Sequence, residues 1–184
     1  NIGVFTQNKP ESLFMDFGAF GIRAVTVPLY ATSSEAQVHY ILEDAGIRYL
    51  FVGEQQQYDV AFRVMALSST LKQIVVFDRE VKLDARDEST IYFDDFLAKG
   101  KSRQHQAEVD KRTAESQKED LMNILYTSGT TGESKGVMLD HAGYESVMDA
   151  HCEKFPGFGE NDVVINFLPF THVFERAFSC WCLC

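Results

Sequence analysis

The stretch VTVPLYATSSEAQVHYILEDAGIRYLFVG, from Val25 to Gly53, contains the pattern that decides the fold. It opens with a β-rich run in which Pro28 is typical of an edge strand or a strand end. An amphipathic helix is predicted next, because apolar residues recur at i, i+3, i+4 and i+7: Val38, Ile41, Leu42 and Ala45. The run YLFVG then predicts a second strand, so the stretch indicates a strand–helix–strand unit.

The ends of this helix carry their own signals. Thr32 with Glu35, or Ser34 with Gln37, fits a capping box at the start. Gly46 occupies the position where a residue in the left-handed conformation commonly ends a helix.

The same alternation continues on both sides of the stretch. IGVFTQ predicts a strand before it, followed by a helix that starts at Pro10 and places Leu13, Phe17 and Phe20 on one face. A helix from about Tyr58 to Leu71 and the strand QIVVFD follow it. Strands alternating with helices of this length predict an α/β fold: βαβ units forming a parallel sheet flanked by helices on both faces.

Three segments are predicted along the chain. Residues 1–78 form the parallel α/β subdomain, and residues 79–120 form a charged connector in which IYFDDFLA is the part able to pack. Residues 121–184 begin a second βα region, with a helix over about 141–155 and a buried strand, VVINF, before a break at Pro169 and a new helix. The chain opens on a strand without an initiator Met and closes on an apolar helical run, so we expect a piece of a longer protein, truncated at its C-terminus.

The amino-acid composition and the net charge argue against some classes of binding partner. The 184 residues are 45% hydrophobic and 24% charged, as in a soluble globular domain, and the formal net charge is −10. This charge argues against nucleic acid and against an anionic membrane surface as partners. No apolar stretch approaches the ~20 residues of a transmembrane helix.

The segment YTSGTTGESKG, from Tyr126 to Gly136, predicts a phosphate-binding loop. Its glycines leave backbone N–H groups unobstructed, its hydroxyls add donors, and Lys135 adds a positive charge. Composition alone also allows a flexible surface hairpin. The Walker pattern is excluded, because Ser134 and Gly136 stand where that pattern needs Gly and Ser or Thr.

This loop resembles the signature loop of the adenylate-forming superfamily, which includes acyl-CoA synthetases, firefly-type luciferases and the adenylation domains of peptide synthetases. Ser134 stands where that family more often has Pro. The segment FLPFTHVFER, from Phe167 to Arg176, is similar to a motif of long-chain fatty acyl-CoA synthetases, which usually carry Leu-Ser at the positions of Phe170 and Thr171. The opening TQNKPESLFMDFGAFGIRAVTVPLYATSS is similar to the same branch.

The resemblance implies the large N-terminal domain of an enzyme that uses ATP, Mg²⁺ and coenzyme A to activate a long-chain fatty acid. An acyl-adenylate forms first, and the thiol of coenzyme A then displaces AMP. The resemblance assigns the β- and γ-phosphates to Thr127, Ser128, Gly129, Thr130, Thr131, Gly132 and Lys135. It also assigns Thr127 to the metal, and it places His172 near the α-phosphate and the acyl carboxylate.

Other expectations follow. The family's later motifs for adenine, ribose and the catalytic lysine are not in these 184 residues, so this chain alone should be inactive. Glu175 and Arg176 are expected to make an ion pair within the helix or to cap it. A cytoplasmic location with possible peripheral membrane contact is expected. An adenylation domain for another carboxylic acid and a non-catalytic nucleotide-binding module are the alternatives.

Overall fold

The computed structural model describes residues 1–127 and 134–183. The strands and helices, in chain order, are β1 (Ile2–Phe5), α1 (Pro10–Phe20), β2 (Thr26–Leu29), α2 (Glu35–Asp44), β3 (Tyr49–Val52), α3 (Gln55–Met65), β4 (Gln73–Val76), β5 (Ile91–Tyr92), α4 (Phe93–Gly100), α5 (Gln106–Ala114), β6 (Leu121–Thr127), β7 (Lys135–Asp140), α6 (His141–Lys154) and α7 (Val173–Leu183).

These strands form a seven-stranded sheet in the order β5-β4-β3-β1-β2-β6-β7. Every neighbouring pair is parallel except β6 and β7, which form an antiparallel hairpin. The α/β prediction is confirmed. Because β6 pairs with β2, the sheet joins residues 1–78 to residues 121–184, and the division into three segments stays a prediction.

Helices cover both faces of the sheet. Side chains of successive strand residues point to opposite faces. In β1, therefore, Phe5 packs in the cluster that includes residues of α2 and α3, whereas Val4 packs with Met15 of α1 and Phe93 of α4. Burial on both faces explains why every residue of β1, β3 and β4 after the first is apolar.

The predicted signals of α2 are present. Ser34 is the N-cap: the backbone N–H of Gln37 donates to its hydroxyl, and its own N–H donates to the Gln37 side chain. The structure therefore decides between the two possible capping boxes. Gly46 follows the helix with φ +58°, a conformation that a side chain disfavours. Pro28 is the next-to-last residue of β2, which is an interior strand and not an edge strand.

Two helix predictions need correction. The buried face of α1 consists of Ser12, Met15, Asp16, Ala19 and Phe20, so that Phe17 points outward. The buried face therefore includes a carboxylate, Asp16, which pairs with Arg176. The helix after β3 runs from Gln55 to Met65 and ends before Leu67, which is 72% exposed.

The predicted buried strand VVINF is wrong. Val163, Ile165 and Phe167 are 92%, 80% and 77% exposed, and no strand of the described residues pairs with this segment. A strand needs a neighbouring backbone for its hydrogen bonds. From Leu168 onward the backbone instead bonds to side chains, such as those of Asn8 and Arg176.

Candidate functional site

A cavity lies at the carboxyl ends of β1 and β2. β1 lies between β2 and β3, so the connection from β1 to β2 and the connection from β2 to β3 run in opposite directions along the sheet. Right-handed crossovers therefore place α1 and α2 on opposite faces of the sheet. The cavity has a volume of about 380 Å³. It is lined by residues 6–8, residues 30–32 and part of the segment 167–171.

The predicted phosphate loop begins at the same end of the parallel strands as the cavity. β6 runs parallel to β2, so Thr127 at the carboxyl end of β6 lies near the carboxyl end of β2, where the cavity is found. Thr127 faces Lys135 across the antiparallel ladder, and both residues are exposed. Ser128, Gly129, Thr130, Thr131 and Gly132 lie outside the described residues.

Helix α2 holds both ends of this loop. The Tyr126 hydroxyl donates to a carboxylate oxygen of Asp44 at 2.5 Å, and the Tyr40 hydroxyl donates to the carbonyl of Ser134 at 3.0 Å. Burial raises the pKa of Tyr126, and its hydrogen bond to Asp44 raises the pKa further, so the phenol stays a proton donor. The Tyr40 and Tyr126 rings also meet edge to face, with centroids 6.3 Å apart. Helix α2, which covers one face of the sheet, therefore anchors the β6–β7 hairpin at both ends of the loop.

His172 is exposed and immediately precedes α7. Its backbone N–H donates to the carbonyl of Pro169 at 2.8 Å, and the N–H of Phe174 donates to its Nδ1 at 3.2 Å. Because Nδ1 accepts this hydrogen bond, a neutral ring carries its proton on Nε2. The side chain thus presents one N–H donor away from the helix. Among the described residues, no hydrogen bond joins His172 to Thr127 or Lys135. The residue before it, Thr171, lines the cavity.

A buried ion pair joins α1 and α7, and its arginine, Arg176, lines the cavity. The guanidinium of Arg176 contacts the carboxylate of Asp16, and its Nε donates to the carbonyl of Phe170 at 2.9 Å. Asp16 also accepts from the hydroxyl of Thr26 at 2.8 Å, and Thr26 accepts from the amide of Asn123 at 2.6 Å. The network connects two helices to the neighbouring strands β2 and β6.

This network corrects the sequence-based interpretation of Arg176. The guanidinium pairs across the fold with Asp16, and not within its own helix with Glu175, because the buried side of α7 faces α1. Glu175 is buried as well, and one of its carboxylate oxygens accepts from the backbone N–H of Leu168. The sequence did not single out Asp16, because the apolar stripe predicted for its helix was Leu13, Phe17 and Phe20.

None of the described helices is long and apolar enough to cross a membrane. Within residues 1–127 and 134–183, histidine, cysteine and acidic side chains form no group of three or more that could hold a metal ion by itself.

The chain is similar to known proteins along its whole length. A family model described as "AMP-binding enzyme" matches residues 1–184. The chain is 30% identical over 203 residues to long-chain-fatty-acid–CoA ligase 1 of Homo sapiens, with 100% of the chain and 27% of that protein covered. It is 32% identical over 182 residues to fatty acyl-CoA synthetase A of Dictyostelium discoideum, with 96% and 26% covered. The chain therefore spans about a quarter of the length of these curated relatives.

Solved structures share the fold. A fatty acyl CoA synthetase of Mycobacterium tuberculosis superposes with a TM-score of 0.65 at 20% identity, covering 98% of this chain and 32% of that one. A red-emitting luciferase of Phrixothrix hirtus gives a TM-score of 0.69 at 15% identity, covering 98% and 34%. At these identities the likeness concerns the fold.

Proposed function

Because the chain belongs to the AMP-binding enzyme family, we propose that it is part of an ATP-dependent long-chain fatty acid–CoA ligase. The reaction has two steps. The acid's carboxylate attacks the α-phosphorus of ATP and releases pyrophosphate. The thiol of coenzyme A then attacks the acyl carbonyl, loses its proton and displaces AMP. The observation that carries the proposal is the position of Thr127 and Lys135, which flank the loop at the same end of the parallel strands as the cavity.

The first step brings a carboxylate towards a polyanion, so positive charge and hydrogen-bond donors must offset the repulsion. We assign the β- and γ-phosphates to Thr127, residues 128–132 and Lys135. Lys135 contributes an exposed ammonium group at the end of the ladder, where no salt bridge of the described residues engages it. We assign His172 to the reacting carboxylate and the α-phosphate, where its Nε2–H would donate to an oxyanion.

Mg²⁺ fits this arrangement as an ion held mainly by the nucleotide. Mg²⁺ prefers oxygen ligands and is commonly bound by few protein groups together with substrate phosphates and water. Thr127 offers a hydroxyl oxygen at an exposed strand end, and the described residues supply no competing acidic cluster. When bound there, the ion would neutralise charge on the phosphates.

Acid-dependent exchange of pyrophosphate into ATP tests the proposal. The measurement uses the full-length protein that contains this chain and fatty acids of graded length. We expect exchange that is highest with long-chain acids and falls at least about tenfold in Lys135→Ala, since a positioned charge on a phosphate contributes more than an exposed one. Lys72→Ala is the matched control, because Lys72 is exposed just before β4, at the opposite edge of the sheet.

The outcomes separate the alternatives. Exchange with another class of acid would indicate an adenylation domain of different specificity, and its absence with every acid would indicate a nucleotide-binding module. The 184-residue chain alone should form no acyl-adenylate, so detectable product from it would contradict the proposed division of the site.

A further inference from the structure

The loop after β1 and the segment before α7 are joined by one side chain. The Nδ2–H of Asn8 donates to the carbonyl of Leu168 at 2.7 Å, and the N–H of Phe170 donates to Oδ1 of Asn8 at 3.0 Å. The side-chain amide thus bonds to the backbone of two alternate residues, accepting from one and donating to the other. The orientation of the amide follows from the two partners, because one is an acceptor and the other a donor.

The same segment is held from the opposite side by α7. The N–H of Leu168 donates to Glu175 at 3.2 Å, and the carbonyl of Phe170 accepts from Nε of Arg176 at 2.9 Å. All four backbone polar groups of Leu168 and Phe170 are therefore bonded to side chains, two of them to Asn8. Asn8 supplies the contacts from the β1 side.

The two hydrogen bonds between Asn8 and the backbone of Leu168 and Phe170, here called the clamp, lie directly before His172. The N–H of His172 donates to the carbonyl of Pro169, the residue between the two that Asn8 binds. A shift of residues 168–170 would therefore move the histidine and the direction of its Nε2–H. Asn8 itself is exposed and lies outside the apolar clusters, so its removal leaves the core intact.

We propose that Asn8 is a positioning residue that holds the imidazole of His172 in place for acyl-adenylate formation. The inference rests on the proposed function, since His172 must act in that reaction. Asn8 acts through the backbone of Leu168–His172 and has no direct role in the chemistry.

A double-mutant cycle tests this role in the full-length protein. We expect Asn8→Ala to lower kcat for acyl-adenylate formation by about tenfold to a hundredfold with KM for ATP unchanged, since misplacing a catalytic group by about 1 Å costs rate on that scale. In a His172→Ala background the same substitution should have no further effect, because its benefit is exerted through the missing ring. Asn161→Ala, an exposed asparagine in the 156–162 turn region, is the control and should leave kcat unchanged.

Asn8→Asp provides a second variant with nearly the same shape. It keeps the acceptor for Phe170 and loses the donor to Leu168, so kcat should again fall in a manner that depends on His172. An unchanged kcat, or equal losses with and without His172, overturns the proposal for either variant.

Hydrogen exchange of the Phe170 amide in the 184-residue chain separates the possible failures. Loss of its acceptor in Asn8→Ala should speed exchange by about tenfold, the effect of one net hydrogen bond. Unchanged exchange overturns the clamp, whatever the activity. A wild-type protein without acid-dependent exchange of pyrophosphate instead overturns the proposed function, and with it the role assigned to His172.

Discussion

Removing Asp16 should destabilise the chain far more than removing an exposed carboxylate. Asp16 and Arg176 are 2% and 1% exposed, so Asp16→Ala leaves a guanidinium charge buried with a single carbonyl partner on its Nε. Breaking a buried ion pair from one side costs about 3–5 kcal/mol. Because a domain's entire free energy of unfolding is about 5–15 kcal/mol, this loss would remove a large share of it.

Urea unfolding of the 184-residue chain provides the assay. With a slope of about 2 kcal/mol per molar urea, the expected loss lowers the unfolding midpoint by about 1.5–2.5 M. Asp95→Ala is the matched control, because Asp95 pairs with Arg79 at 3.2 Å while both side chains are more than half exposed. Exposed pairs contribute about 0–1 kcal/mol, so the control midpoint should move by about 0.5 M or less.

A compensating variant tests the physical cause. Asp16→Leu combined with Arg176→Met removes both charges and keeps apolar volume, so it should recover much of the stability lost in Asp16→Ala. The reasoning is refuted if Asp16→Ala shifts the midpoint no more than Asp95→Ala. It is also refuted if the paired substitution is as unstable as Asp16→Ala, because the uncompensated charge would then not be the cause.

Two further predictions concern α2 and the hairpin. Gly136→Ala should lower the free energy of unfolding by about 1–3 kcal/mol, because the added Cβ would lie 2.8 Å from Cγ2 of Ile124 and 3.2 Å from the Tyr126 ring. An unchanged midpoint in urea would contradict this close approach. Hydrogen bonds from Ser68 and Ser69 lower the pKa of Glu43 from 4.5 to about 2. The contribution of this carboxylate to the free energy of unfolding is therefore complete above pH 4.5 and is lost as the pH falls towards 2. Glu43→Gln should therefore unfold with a shallower pH dependence than wild type in that window, and identical acid profiles would count against it.

Local patterns were sufficient for most of the framework. The α2 periodicity, its cap and Gly46 depend on interactions between residues a few positions apart, so they are readable from sequence. The same holds for α6, predicted over about 141–155 and found at His141–Lys154. The apolar run at 163–167 misled for the opposite reason: hydrophobicity indicates burial, but a strand also needs a partner backbone.

Sequence by itself determined the α/β class and the family resemblance, with the loop residues and His172 that it singles out. The tertiary structure decided where those residues lie: Thr127 and Lys135 at the same end of the parallel strands as the cavity, with the loop stem anchored by Tyr40 and Asp44. It also paired Asp16 with Arg176 and brought Asn8 to Leu168, contacts across about 160 residues of chain. Such contacts depend on how distant elements pack, and no local pattern specifies which buried charge or exposed amide will meet its partner.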